Sequence, residues 1–177
     1  MDITQLQYPI GKFSAKEFYT SEEISKNINR IYILPQQIES TISNFDNEKF
    51  DTPYRDGGWT VRQLIHHVAD SHMNAFIRFK WTLTETNPVI KAYNEKLWAE
   101  TPETTADPKL SIELLKALHL KWVELLKRLS ATDLEKYFVH PDSKKEVKLK
   151  VLLAMYAWHG EHHLAHIVKL KERLGWL

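Results

Sequence analysis

The stretch WHGEHHLAHI, residues 158–167, holds His159, His162, His163 and His166 within eight positions. A second stretch, HHVADSH at 66–72, holds His66, His67 and His72. Seven of the nine histidines in this 177-residue chain thus fall in two short windows. Imidazole nitrogens bind divalent metals, and two histidines four apart on a helix share a face, so each can offer one ligand to one ion. The chain has no cysteine, which excludes disulfides and thiolate ligands and leaves His, Asp, Glu and water. It has no HExxH motif, so a zincin-type protease is excluded.

Four long helices are the elements that must position these groups. The first is expected over about 21–46, where Ile24, Ile28, Ile31, Ile38, Ile42 and Phe45 recur at helical spacing. Thr20 and Glu23 form a capping box at its start, and Pro35 should kink or split it. The second covers about 61–86, opened by Thr60 and Gln63, with Val61, Leu64, Val68, Ala75, Phe79 and Leu83 as its stripe. The third covers about 108–129, with Asp107 as N-cap and Pro108 in the first turn. The fourth covers about 148–174 and stops before Gly175. The connections 87–107 and 130–147 are long for an up-and-down bundle, so at least one crosses it or carries a short helix near Tyr93–Glu100. Residues 134–147 suit a turn or hairpin around HPDSKK. The result is an all-α four-helix bundle with long connections, in one domain over 1–177.

On the fourth helix, His159 and His163 lie about 40° apart in the middle of the apolar stripe, while His162 and His166 lie on its shoulder. Two buried imidazoles need polar partners. A metal would satisfy both; hydrogen bonds to core hydroxyls, with a solvated shoulder pair, are the other reading. For the second helix the wheel does not decide the third ligand: His72 lies inside the stripe, His67 off centre in line with Ser71, Asn74 and Arg78, and His66 points away towards Asp70. Periodicity alone favours His72.

Composition sets outer bounds. Hydrophobic residues make up 43%, enough for a core, and the formal charge is +1, without the basic patch of a nucleic-acid or membrane-surface protein. No apolar run approaches the length of a membrane span and the N-terminus lacks a signal-peptide core, so a cytoplasmic protein is expected. Glu161 should face away from the His159–His163 pair into solvent, and Asp70 should serve as an outer partner or pair with His66. Asn74 and Arg78 are candidate pocket residues or ordinary polar surface; Arg55 and Asp56 shape a pocket mouth or a turn. Trp81, Trp122 and Trp158 read as core or interface.

YPIG near the start, DTPYRDGGWTVRQ before the second helix, HHVADSHMN and RFK within it, and WHGEHHLAHI near the end resemble the YfiT-like branch of the DinB superfamily across nearly the whole chain. The resemblance implies a four-helix bundle, a homodimer, and one divalent metal held by the second histidine of HHVADSH and the last-helix pair: His67, His159 and His163. It implies a metal-dependent hydrolase, or a transferase acting with a low-molecular-weight thiol such as bacillithiol. Three neutral ligands leave an open metal position, the layout of a catalytic site. Zinc is the first expectation and nickel the alternative. A metal-binding protein without catalysis, and a plain helical interaction module, are the competing classes. His72, His162 and His166 remain open as further ligands. Gly160, inside the last helix, departs from good helix sequence and suits a close backbone approach.

Overall fold

In the computed structural model, residues 3–176 are described. The long helices are α2 (Ser21–Thr41), α4 (Val61–Thr84), α6 (Lys109–Leu126) and α8 (Leu149–Leu174). The short helices α1 (Ile3–Gln7), α3 (Asn47–Phe50), α5 (Glu95–Trp98) and α7 (Ala131–Glu135) lie in the segments before and between them. A 3₁₀ turn covers Pro102–Thr105, and strands β1 (Tyr137–Val139) and β2 (Glu146–Lys148) form an antiparallel hairpin with Phe138 opposite Val147. The short helix expected near Tyr93–Glu100 is α5, and the hairpin expected around HPDSKK is β1–β2.

Local chemistry sets the starts. Thr20 and Thr60 each accept a hydrogen bond from the backbone N–H three residues on, and the Glu23 and Gln63 side-chain oxygens accept one from the cap residue's own N–H. Gly175 ends α8 at φ 65°, a left-handed conformation that favours glycine. At the start of α6 the Asp107 carboxylate accepts the Lys109 N–H at 2.9 Å, the capping bond expected of it, and Pro108 already has helical geometry. Two expectations are corrected. The first helix ends at Thr41, because Ile42 leaves helical geometry and a turn precedes α3. Pro35 does not split α2, which continues through it.

The reason lies in Ile31. An N–H at position 35 would bond to the Ile31 carbonyl, and proline has none. That carbonyl, which a helix interior otherwise occupies, accepts a bond from His119 Nδ1 on α6 at 2.6 Å. The broken rung is repaired from a neighbouring helix, so the helix axis has no need to break.

Helix α2 packs against α6 and α8, and α4 packs against the same two. Sequential partners α2 and α4 are therefore diagonal, as are α6 and α8, so the connections 42–60 and 127–148 both cross the bundle. Two apolar clusters fill the interior. One gathers Ile31, Phe79, Trp122, Phe138, Leu152 and Tyr156; the other gathers Leu34, Leu64, Ile65, Leu115, Ile167 and Leu170. Along each of α4, α6 and α8 the histidines fall between the residues of these clusters, giving a polar layer across the middle of the core.

Gly160 sets how closely α8 approaches α2. A Cβ there would overlap Leu34 Cδ2 and stand 3.2 Å from its Cδ1 and 3.3 Å from its Cγ. Leu34 is fully buried and cannot swing aside. Gly160→Ala gains about 1 kcal/mol of helix propensity against an overpacking cost of about 1–3 kcal/mol. The expected net effect is a loss of up to about 2 kcal/mol in urea denaturation. In a Leu34→Ala background the same change should become neutral or stabilising. Equal effects in both backgrounds would show that the close approach is not the reason for the glycine.

Candidate metal centre

His67 from α4 and His159 and His163 from α8 each place one ligand nitrogen within 4.8 Å of the other two. Helices α4 and α8 are neighbours, and the i,i+4 pair stacks its Nε2 atoms 3.2 Å apart. Two ligands about 2.0–2.1 Å from a tetrahedral ion stand roughly 3.3 Å apart, so the pair already has ligand spacing. The His67 ring lies 4.6 Å from Trp59, 5.5 Å from His159 and 4.9 Å from His163. His67 is 3% exposed, and no protein hydrogen bond is found for it among the described residues. A buried imidazole without a partner is costly, and a cation between the three rings removes that cost. The donor set fits a divalent ion of the zinc or nickel type.

A second trio, His162, His163 and His166, also brings its nitrogens within 4.8 Å, with His162 and His166 Nε2 atoms 3.1 Å apart. All three come from one helix, and its outer pair is covered by aromatic rings: Trp158 stacks on His162 and Tyr54 lies 4.2 Å from His166. The first trio joins two helices and is therefore the better-braced site. A cavity of about 590 Å³ opens on it, lined by all three of its histidines, His162, Tyr54, Arg55, Trp59, Glu95, Lys96, Glu100 and Trp158.

Behind the trio stands a layer of further imidazoles. His72 is fully buried, with Nε2 3.3 Å from His159 Nδ1 and Nδ1 3.0 Å from His119 Nε2. The wheel placed His72 correctly in the core and His67 off its centre; the structure shows that the trio uses the off-centre residue and the central one supports it. His119 carries no cluster signal in the sequence. Its place in the α6 stripe, at helical spacing from Leu115 and Trp122, is the signal that was there.

Other expectations change. His66 does not pair with Asp70: its Nδ1 is 2.7 Å from the Ser111 hydroxyl, because α4 turns that face to α6. Glu161 does face away from the trio, but both its oxygens take bonds from Arg30 at 2.6 Å instead of standing free in solvent. Asp70 is half-buried, and burial, with Glu103 nearby, raises its pKa to about 6. Asn74 bonds the Asp70 carbonyl, and neither it nor Arg78 is among the residues lining the histidine cavity. Arg78 is 8% exposed and its Nε has no partner. Arg55 bonds the Asp56 carbonyl at 2.9 Å and also lines the cavity, so it does both things asked of it. Trp122 is core, Trp158 lines the cavity, and Trp81 is partly exposed. Sequence reasoning did not reach Glu95, Lys96, Glu100 or Trp59.

A family profile of the DinB superfamily matches residues 30–167. The chain belongs to the DinB superfamily. It is 50% identical over 174 residues, 98% of its length and all of the relative's, to a Bacillus anthracis protein named "Putative metal-dependent hydrolase". A Bacillus cereus relative of the same name matches equally. YfiT from Bacillus subtilis, whose structure is described as that of "a probable metal-dependent hydrolase with an unusual four-helix bundle topology", superposes with a TM-score of 0.96 at 44% identity, covering 98% of this chain and 99% of that one. A mycothiol-dependent maleylpyruvate isomerase shares the fold alone, with a TM-score of 0.61 at 16% identity over 83% of this chain and 60% of that one. Among the described residues no helix is long and apolar enough to cross a membrane.

Burial holds the imidazoles neutral. It pushes His67, His119 and His162 down to about 4 and His166 to about 3. His72, His159 and His163 are driven well below the usual histidine value, first by burial and then by neighbouring histidines. His66 is lowered too, again mainly by burial. These eight groups bind protons near pH 6.5 when unfolded and not when folded. Stability is therefore complete above pH 6.5 and lost as the pH falls towards the folded values. Each adds up to about 1.4 kcal/mol per pH unit. Even half of them acting together give roughly 5 kcal/mol per unit, comparable with the total of about 5–15 kcal/mol for a domain. The metal-free protein should lose most of its stability between pH 6.5 and about 5, read from thermal unfolding across that range. A flat profile would mean that the imidazoles are solvated in solution.

Proposed function

We propose that this protein is a metal-dependent hydrolase whose single divalent ion, zinc before nickel, is held by His67, His159 and His163. The observation that carries the reading is the open side of the trio: three ligands from two packed helices face a cavity wide enough for a small molecule. A closed structural site would take a fourth protein ligand there. A divalent ion held by His67, His159 and His163 would supply Lewis-acid activation of a water or thiol at the cavity side of the trio. The chain's residues do the rest. Trp59 packs on His67 and fixes its ring. Tyr54, Trp59 and Trp158 give the cavity its apolar wall, and Arg55 and Lys96 its cations. Glu95 and Glu100 are the carboxylates of the lining, and their Oε atoms are the proton acceptors available to a hydrolytic step. The same reading, with the family resemblance, makes the protein a cytoplasmic homodimer acting on a small-molecule substrate.

One observation favours a second reading, a transferase that conjugates a carboxylate-bearing thiol such as bacillithiol. Among the described residues Arg78 is buried without an ion pair, while the other buried arginine, Arg62, is spent on Asp51, Asn47 and the Ala106 carbonyl. Arg78 acts on the phenols of Tyr93 and Tyr156, and Tyr156 packs 5.4 Å from His159. A ligand carboxylate would supply the missing counter-ion, and because Arg78 is not part of the cavity lining this reading requires that group to reach beyond the lining residues.

Elemental analysis of untagged protein purified without chelator should find about one divalent ion per chain, lost in His163→Ala. The loaded protein should hydrolyse members of an ester, amide and phosphodiester panel, and His163→Ala should lower this by more than about a hundredfold, beyond the range of outer-shell changes. Metal-dependent conjugation of a model electrophile only when bacillithiol is added, without hydrolysis, would replace the first reading by the second. No metal in either protein, even after zinc or nickel is offered, would end both.

A further inference from the structure

The hydrogen bonds behind His159 run in one direction, and the direction follows from the end of the chain. Proline at position 35 leaves the Ile31 carbonyl of α2 without its intrahelical donor. His119 Nδ1 of α6 stands 2.6 Å from that oxygen. A carbonyl only accepts, so the proton is on His119 Nδ1. His119 is 1% exposed and neutral, so its Nε2 is a bare acceptor. His72 Nδ1, 3.0 Å away, must then carry a proton, and His72 Nε2 must be the acceptor. His159 Nδ1, 3.3 Å from it, carries the next proton. The only lone pair left on His159 is at Nε2, the atom 3.2 Å from His163 Nε2. Reversing the chain would turn a ring lone pair towards a carbonyl oxygen inside the buried core.

We infer that Pro35, His119 and His72 form a positioning relay that fixes His159 as an Nε2 donor and so sets the protein's affinity for its metal. The inference rests on the reading of His67, His159 and His163 as the ligands. Each link comes from a different helix: Ile31 from α2, His119 from α6, His72 from α4 and His159 from α8. A neutral imidazole in water exchanges its proton between both nitrogens. Here His159 is delivered in the one tautomer that can ligate from Nε2 without first losing a proton there. A ligand's outer hydrogen bond also orients its ring and raises its basicity. Pro35 has no N–H to give and acts by what it withholds from the Ile31 carbonyl.

The first measurement is a long-range ¹H–¹⁵N correlation spectrum of the metal-free protein above pH 7. The relay requires His119, His72 and His159 all in the Nδ1–H form; His159 as Nε2–H would overturn it. The second is zinc affinity by competition with a chromophoric chelator. His72→Phe and His119→Phe keep ring volume and cut the relay, and should weaken zinc binding by about 10- to 100-fold. Pro35→Ala restores the N–H that competes for the Ile31 carbonyl. It should weaken zinc binding in the same direction while leaving unfolding stability equal or higher, because proline is a poor helix residue.

His72→Gln is the conservative variant. Its Oε1 can still accept from His159 Nδ1–H, so it should bind zinc more tightly than His72→Phe. In its background His119→Phe should cost little more, because the link to His119 is already gone. Unchanged zinc affinity in the well-folded Pro35→Ala protein, with His159 still in the Nδ1–H form, would overturn the role given to proline. Additive losses in the double variant would overturn the relay as a unit. If the wild-type protein takes up no zinc, the functional reading and the effect on affinity fail together; the tautomer spectrum then decides only whether the relay orients His159.

Discussion

The constraint on which this structure turns is the cost of burying a layer of imidazoles without a carboxylate among them. The trio, His72 and His119 lie between two apolar clusters, and each ring must find a partner within the layer or on the backbone. A helix-interior carbonyl already accepts the N–H four residues on, so a further donor has to share the oxygen with that rung. Pro35 frees the Ile31 carbonyl from its rung and leaves it to His119. The bond from His119 to Ile31 satisfies the rung that proline breaks and the imidazole that would otherwise lack an acceptor. Two local costs, a proline in a helix and a polar group in a core, cancel because they sit on facing helices.

Helix order is what makes those faces meet. Because α2 and α4 are diagonal, as are α6 and α8, each helix has two neighbours that are not its sequence neighbours. Helix α4 thus presents His67 to α8 and His72 to both α6 and α8, a division of labour that an adjacent hairpin of helices would not give. Gly160 belongs to the same geometry. It lets α8 lie against Leu34, one turn from Ile31, so the helix that carries the pair and the helix that anchors the relay are in direct contact. The anchor, the relay and the pair are held by packing on both sides of the layer, the preorganisation that a metal centre requires of its surroundings.

Much of this was legible in the sequence and some was not, for reasons that can be named. The pair His159–His163 follows from helical period, since both its members lie in the apolar stripe. His67 did not follow from period. An apolar stripe reports which face is buried, and an open metal cavity sits at the edge of that face, so the wheel pointed to His72 and only the family motif pointed to His67. His119 stands apart from both histidine windows along the chain, and its partners His72 and Ile31 are brought to it only by the packing of the helices. Pro35 was read as a breaker, since a sequence shows the bond a proline removes and not the donor that replaces it. Arg30 and Glu161 lie 131 positions apart, and their bidentate pairing depends on helix order, which no local pattern encodes. The lining residues Glu95, Lys96 and Glu100 stand on a connection whose path is set by packing.

That last group separates the two halves of the site. The histidine layer belongs to the bundle, where altering one ring disturbs its partners through shared hydrogen bonds and shared packing. The cavity wall is built differently. Its charged residues come from the segment around α5, and its aromatic face from Tyr54 and Trp59 in the crossing connection before α4. These segments make few demands on the core, so their side chains can change while the four helices stay as they are. On the proposed reading the histidine layer would carry the chemistry that any substrate shares, and the connections the choice among substrates. Arg78 lies on the bundle side of this division. A buried cation on a core helix stays in place while the loops vary, but Arg78 stands off the cavity lining, so an anionic group paired with it would belong to the bundle's part of the site and not to the choice made by the cavity wall.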